Sequence, residues 1–156
     1  MRLGIISDTH DNLDKVRQAV SLFNRIGIDQ LIHCGDIIAP FVFKEFHRLK
    51  IPVVFIYGNC DGDHEALEEE ANKMGFRIGA APLYLQFDDK RIVITHKPIQ
   101  PPPDYDFYIH GHTHRVRYES TKTVIINPGE ACGWLTGRST VAVLDIQNNE
   151  VETYDL

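Results

Sequence analysis

Residues 3–10 read LGIISDTH, an apolar run that breaks off abruptly at Asp8 and His10. A short Leu/Ile run ending in polar residues is the pattern of a parallel strand buried on both faces. From Asn12 onward the period changes. Leu13, Val16, Val20, Phe23 and Ile26 recur at helical spacing until Gly27, a suitable helix stop. The unit then repeats. QLIHC (30–34) reads as a strand, Phe41 to Leu49 after Pro40 as a helix, VVFIY (53–57) as a third strand, and His64 to Met74 as an acidic helix capped by Gly75. A β-α-β-α-β-α run implies a parallel sheet with right-handed crossovers.

Further along, helical periodicity nearly disappears. LYLQF, RIVIT, DFYIH, RVRYE, TVIIN and TVAVLDI are short strands with tight breaks, such as Asp88-Asp89. The expected fold is α/β: two sheets packed face to face, the first covered by helices, in a single domain over residues 1–156. About 150 residues suffice for one such core.

Composition narrows the function. The 156 residues carry 16 Lys+Arg against 22 Asp+Glu, a formal charge of −6, and 43% are hydrophobic. That is ordinary globular usage and excludes disordered and fibrous classes. An acidic balance without a basic stripe speaks against stable nucleic-acid or membrane-surface binding. The 3 Cys (Cys34, Cys60 and Cys132) are scattered and form no CxxC, which fits a reducing compartment. The first apolar run is too short for a signal peptide, and no stretch approaches the roughly 20 apolar residues of a membrane span. A cytoplasmic location is expected.

The chemistry gathers at strand ends. LGIIS leads to Asp8-Thr9-His10, LIHC to Gly35-Asp36, and VVFIY to Gly58-Asn59-Cys60-Asp61; RIVIT leads to His96, and DFYIH to Gly111-His112-Thr113-His114. Carboxyl ends of parallel strands line one crevice, so these clusters should converge. Glycines before Asp36, Asn59 and His112 permit turns that aim the side chains inward. Within an extended segment, residues i and i+2 share a side, which pairs Asp8 with His10 and His112 with His114. Two Asp, four His and one Asn form a mixed oxygen and imidazole set, suited to borderline transition ions rather than to calcium or a structural zinc. Seven ligands exceed one tetrahedral site and match two metals sharing a carboxylate.

The order D-x-H, G-D, G-N, H, G-H-x-H resembles the calcineurin-like metallophosphoesterases, over nearly the whole chain from Asp8 to about Leu144. GNCD, GHTH and NPG are similar to their small phosphodiesterase branch, which includes the eukaryotic retromer scaffold subunit. The resemblance implies a two-sheet β sandwich flanked by helices in four αββα layers. It implies two divalent transition ions, manganese foremost, with nickel, iron, cobalt or zinc also acceptable to the set. The first ion would take Asp8, His10, Asp36 and His114, and the second Asp36, Asn59, His96 and His112. A hydroxide bridging the ions would attack a small phosphodiester in line. Asn59 would also touch substrate. The competing reading is a non-catalytic scaffold or protein-interaction module, against which all seven ligand positions are retained.

Other residues have plainer readings. His33 and His110, inside apolar strands, are packed or orienting residues, and His47 and His64 lie on helix surfaces. Cys60 is inert, Glu68-Glu69-Glu70 is a solvated helix face, and Asn127-Pro128-Gly129 is a turn near the site. Three departures from the family matter. Cys60 stands where many relatives have a His that protonates the leaving oxygen, and a thiol with a pKa of about 8.5 replaces it poorly. The proton donor is therefore unassigned, with Asp61, or His33 through a water, as substitutes. Glu130 stands where relatives often have Ser and adds negative charge near the rim. Residues 96–106, HKPIQPPPDYD, are short and too Pro-rich for the usual crossover helix. A stiff loop there would leave one sheet face uncovered, open to a homodimer or other partner. Lys97 would sit at the rim as a phosphate contact, or else face solvent.

Overall fold

A computed structural model describes residues 1–156. In the first half β1 (Arg2–Ile6), α1 (Leu13–Ile26), β2 (Gln30–His33), α2 (Phe43–Phe46), β3 (Val53–Ile56) and α3 (His64–Lys73) alternate in the expected order. β4 (Arg77–Gly79) follows and pairs parallel with β3. The second half contains β5 (Leu83–Phe87), β6 (Lys90–Thr95), β7 (Phe107–His110), β8 (Val116–Ser120), β9 (Val124–Pro128), β10 (Thr140–Asp145) and β11 (Glu150–Asp155). The strands form a six-stranded sheet, β11-β10-β1-β2-β3-β4, and a five-stranded sheet, β5-β6-β7-β9-β8. No helix is long and apolar enough to cross a membrane.

The central strands are apolar throughout because both faces are covered. From β1, Leu3 and Ile5 enter the core between the sheets with Ile92, Ile94, Phe107 and Ile109, while Ile6 joins the helix-side core with Phe23, Phe43, Phe46 and Phe55. Alternate residues of one strand thus serve two cores. α1 is fixed at both ends: the Asn12 side chain accepts from the Lys15 N–H, and Gly27 closes it at φ 75°.

The helix expected over Phe41 to Leu49 is broken instead. Three-residue 3₁₀ turns at Pro40–Val42 and His47–Leu49 flank a single α-turn at Phe43–Phe46. Phe43, Phe46 and Leu49 are all buried at a spacing of three, the 3₁₀ period. β4 and β11 are edge strands with few buried positions, so neither carries an apolar run that periodicity could detect.

All three helices pack on the first sheet. On the outer face of the second, the helix-free segment 96–106 joins the parallel strands β6 and β7. Tyr108, buried there with Val93 and Ile125 against Tyr105, holds this segment down. Its hydroxyl accepts from the Ile99 N–H at 2.8 Å and lies 3.0 Å from the Thr95 hydroxyl. The loop thus replaces a helical outer layer, and Tyr84 and Tyr118 remain about half exposed beyond it.

Candidate metal centre

The loops after β1, β2, β3, β6 and β7 bring all seven candidate ligands to one end of the sandwich. They do so without extended backbone. Asp8, His10, Asp36, His112 and His114 have φ between 40° and 68°, in the left-handed region. The same-side argument for residues i and i+2 therefore does not apply: backbone reversals at the candidate ligands themselves make the turns. Such conformations are costly for non-glycine residues and concentrate at sites held by their surroundings.

Glycines act in two ways here. Gly35 has φ 96°, as a turn requires, and a Cβ on it would lie 2.7 Å from His96 Nδ1. Gly58 and Gly111 instead leave space, since a Cβ would strike the Asp36 side chain at the first and Ser7 Oγ at the second. Asp61, 3% exposed, accepts the backbone N–H groups of Asp36, Ile37, Ile38 and Gly58 at 2.7–3.0 Å. It ties the β2 and β3 loops together as an acceptor, which removes it as a proton donor.

Ring tautomers are set from outside the cluster. His96 Nδ1 donates to the Cys34 carbonyl at 2.8 Å, so its Nε2 lone pair points inward, 3.4 Å from Asp36 Oδ2 and 3.1 Å from Asn59 Oδ1. His114 Nδ1 donates to Glu130 at 2.8 Å, leaving Nε2 3.4 Å from Asp8 Oδ1. His10 Nε2 lies 3.5 Å from Asp36 Oδ2. Electron-pair donors thus face one another, and buried Asp8 Oδ1 and His10 Nε2 have no hydrogen-bond partner. Donor atoms of Asp8, His10, Asp36 and His114 all lie within 4.8 Å of one another. Oxygen and imidazole donors converging without hydrogens between them fit a divalent transition ion. Asp36 Oδ2 sits between this group and the Asn59–His96 pair, and the His112 ring lies 5.1 Å from that of His96.

Electrostatics follow from burial and these contacts. Burial raises the Asp8 pKa. It acts the same way on Asp36, but the His96 ring and the Cys60 N–H outweigh it and hold that carboxyl well below its ordinary value. Burial opposes charge on His96, yet Asp36 wins and raises its pKa. His112 is lowered by burial and by the charges of His96 and Lys97.

Several neighbours differ from expectation. Glu130 is wholly buried behind His114, not at the rim. Burial would raise its pKa, but bonds from His114, Thr136 and Cys132 bring it to about 2. His33 is buried, with Nδ1 accepting from the Gly35 N–H at 3.2 Å and Nε2 facing Thr9 Oγ1 at 3.0 Å; burial lowers its pKa to about 3. At neutral pH it is uncharged and therefore a poor general acid. Cys60 lines the pocket, but burial and Asp36 raise its thiol pKa, away from a nucleophile. His110 packs on Tyr108 as a core residue. Asn127 donates to the Gly111 carbonyl and Thr113 Oγ1 at 2.9 Å, fastening the His112–His114 turn. Lys97 lies outside the ligand pocket, in an adjoining cleft. The pocket rim also holds Trp134 and Leu135, 62% and 75% exposed, which no motif marks.

The family pattern described as a calcineurin-like phosphoesterase superfamily domain matches residues 1–149. The chain is 39% identical over 159 aligned positions to phosphodiesterase MJ0936 of Methanocaldococcus jannaschii, covering 96% of each. A solved archaeal phosphodiesterase superposes with a TM-score of 0.92 at 37% identity, covering 100% of both chains. Vps29 of Chaetomium thermophilum shares the fold, with a TM-score of 0.69 at 16% identity over 100% of this chain and 95% of its own.

Proposed function

Because the chain belongs to the calcineurin-like phosphoesterase superfamily, a family of hydrolases, we propose that it hydrolyses a small phosphodiester with two divalent transition ions. Asp8, His10, Asp36 and His114 would hold one, and Asp36, Asn59, His96 and His112 the other, with manganese the foremost candidate. When bound, such ions supply Lewis acidity and an activated water for in-line attack at phosphorus.

The observation that carries this reading is the position of Asp36 Oδ2, 3.5 Å from His10 Nε2 and 3.4 Å from His96 Nε2. One carboxylate oxygen facing both ligand groups supports a shared centre. The other, Oδ1, accepts the Cys60 N–H at 2.9 Å, which fixes the carboxylate plane. Asn59 opens onto both the pocket and the adjoining cleft and orients the phosphoryl group, while Lys97 contributes ground-state attraction to it.

Neither substitute for the missing His is positioned as a proton donor to the leaving oxygen. Asp61 is committed to backbone N–H groups, and His33 is neutral and buried. Diesters with aryl leaving groups should therefore turn over far better than dialkyl ones. The test is hydrolysis of an aryl phosphodiester with manganese, together with metal analysis of the protein. Asp36→Ala and His112→Ala should each abolish turnover, with Asp36→Ala also losing both ions. Full activity in either variant overturns the assignment.

A further inference from the structure

Beyond Asn59 the surface opens into a second cleft of about 440 Å³, a volume typical of small-molecule sites. It is continuous with the candidate centre: Asn59 lines both, and His96 lines the new one. Tyr57 and His64 form an aromatic wall, their rings stacked with centroids 3.8 Å apart and planes within 10°. Pro82 adds apolar surface, and Lys97 is the only Lys, Arg, Asp or Glu in the lining.

These features select a ligand. An apolar cleft with an aromatic wall favours a flat ring. One cation beside a centre proposed to hold two divalent ions favours a ring attached to phosphate. A purely apolar ligand would leave Lys97 unused, and a second phosphate would meet only one cation and an apolar wall. We propose that this cleft is the subsite for an aromatic substituent of the phosphodiester, packed against the Tyr57–His64 pair while its phosphoryl group lies between Asn59 and Lys97. The proposal rests on the phosphodiesterase reading and narrows its substrate class. Neither aromatic residue lies in a family motif. His64 is the first residue of α3 and Tyr57 directly follows β3, so the wall is built by the same strand end that delivers Asn59.

The test reads binding and turnover separately. Calorimetry of the manganese-loaded protein compares methyl phosphate, phenyl phosphate and thymidine 5′-monophosphate. Phenyl phosphate should bind about 3- to 10-fold tighter than methyl phosphate, the range expected for one aromatic contact. That preference should fall to near unity in Tyr57→Leu, which keeps apolar bulk, and in exposed His64→Ala. Tighter binding of the thymidine nucleotide than of methyl phosphate would identify the ring as a nucleobase; a preference confined to phenyl phosphate identifies a simple aryl ester. The kcat/KM ratio of bis(p-nitrophenyl) phosphate to methyl p-nitrophenyl phosphate should fall with the binding preference. No aryl preference in the wild-type protein, or one surviving both substitutions, overturns the subsite. A protein that binds phenyl phosphate in this way but hydrolyses neither diester keeps the subsite and loses the phosphodiesterase reading.

Discussion

His114 donates its Nδ1 proton at 2.8 Å to Glu130, a carboxylate with no exposed surface. The same carboxylate accepts the Cys132 thiol at 3.1 Å and the backbone N–H groups of Leu135 and Thr136. One side chain therefore sets the tautomer of a candidate ligand and the path of the loop bearing Trp134. Removing such an orienting partner typically costs about 10- to 100-fold in metal affinity. Glu130→Ala should show a loss of that size in calorimetric titration with manganese. Glu130→Gln, whose amide oxygen can still accept from His114, should lie between it and the wild-type protein. Equal affinity in all three proteins contradicts the role.

Gly58→Ala provides a steric test. A Cβ there collides with both the side chain and the amide of Asp36, so the proposed shared ligand must move. Bound manganese should drop below two ions per chain, and thermal stability should fall. Gly62→Ala is the control, since a Cβ at Gly62 meets nothing within 4 Å. If both variants hold the same metal content, the close approach is unimportant.

Trp134 offers an intrinsic probe. It is the only Trp in the chain, and its ring centroid lies 6.1 Å from that of His10. Titration with manganese, a paramagnetic ion, should quench its fluorescence, with a midpoint that shifts to higher concentration in Asp8→Ala. A signal that ignores metal would separate His10 from the metal centre.

Acid stability should depend on His33. The folded chain holds its pKa near 3 against an ordinary 6.5, because burial between Phe46 and Phe55 disfavours the charged ring. The unfolded chain takes up this proton first. Its stabilising contribution is thus complete above about pH 6.5 and declines by about 1.4 kcal/mol per unit as pH falls toward 3. Denaturant unfolding between pH 7 and pH 4 should show a shallower dependence in His33→Gln. An unchanged slope would mean that the folded ring accepts the proton.

The amphipathic first half and the strand-end chemistry were legible because buried parallel strands and one-sided helices leave strong periodic signals. The Phe41–Leu49 segment is ambiguous in sequence because apolar residues spaced by three fit both α and 3₁₀ windings. Strands β4 and β11 left no signal, since edge strands bury little. Glu130 stood out as an unusual residue, but its depth depends on the turn made by residues 131–136, which has no sequence signature. Asp61 was noticed for its acidity, whereas its function lies in four backbone N–H groups from two loops that sequence spacing does not bring together.

The loop at residues 96–106 has a consequence for how this architecture can be extended. Its ends are fixed by His96 and by β7, while Pro103 and Asp104 at its tip are exposed. Insertions are best tolerated at such tips. Asp106 accepts the Arg91 N–H and lies beside Lys90, so added sequence would emerge at the end of β6 opposite His96, and no strand pairing or candidate ligand would need to shift. The fold thus offers a docking port where a grafted domain could be attached while the hydrolytic core stays constant.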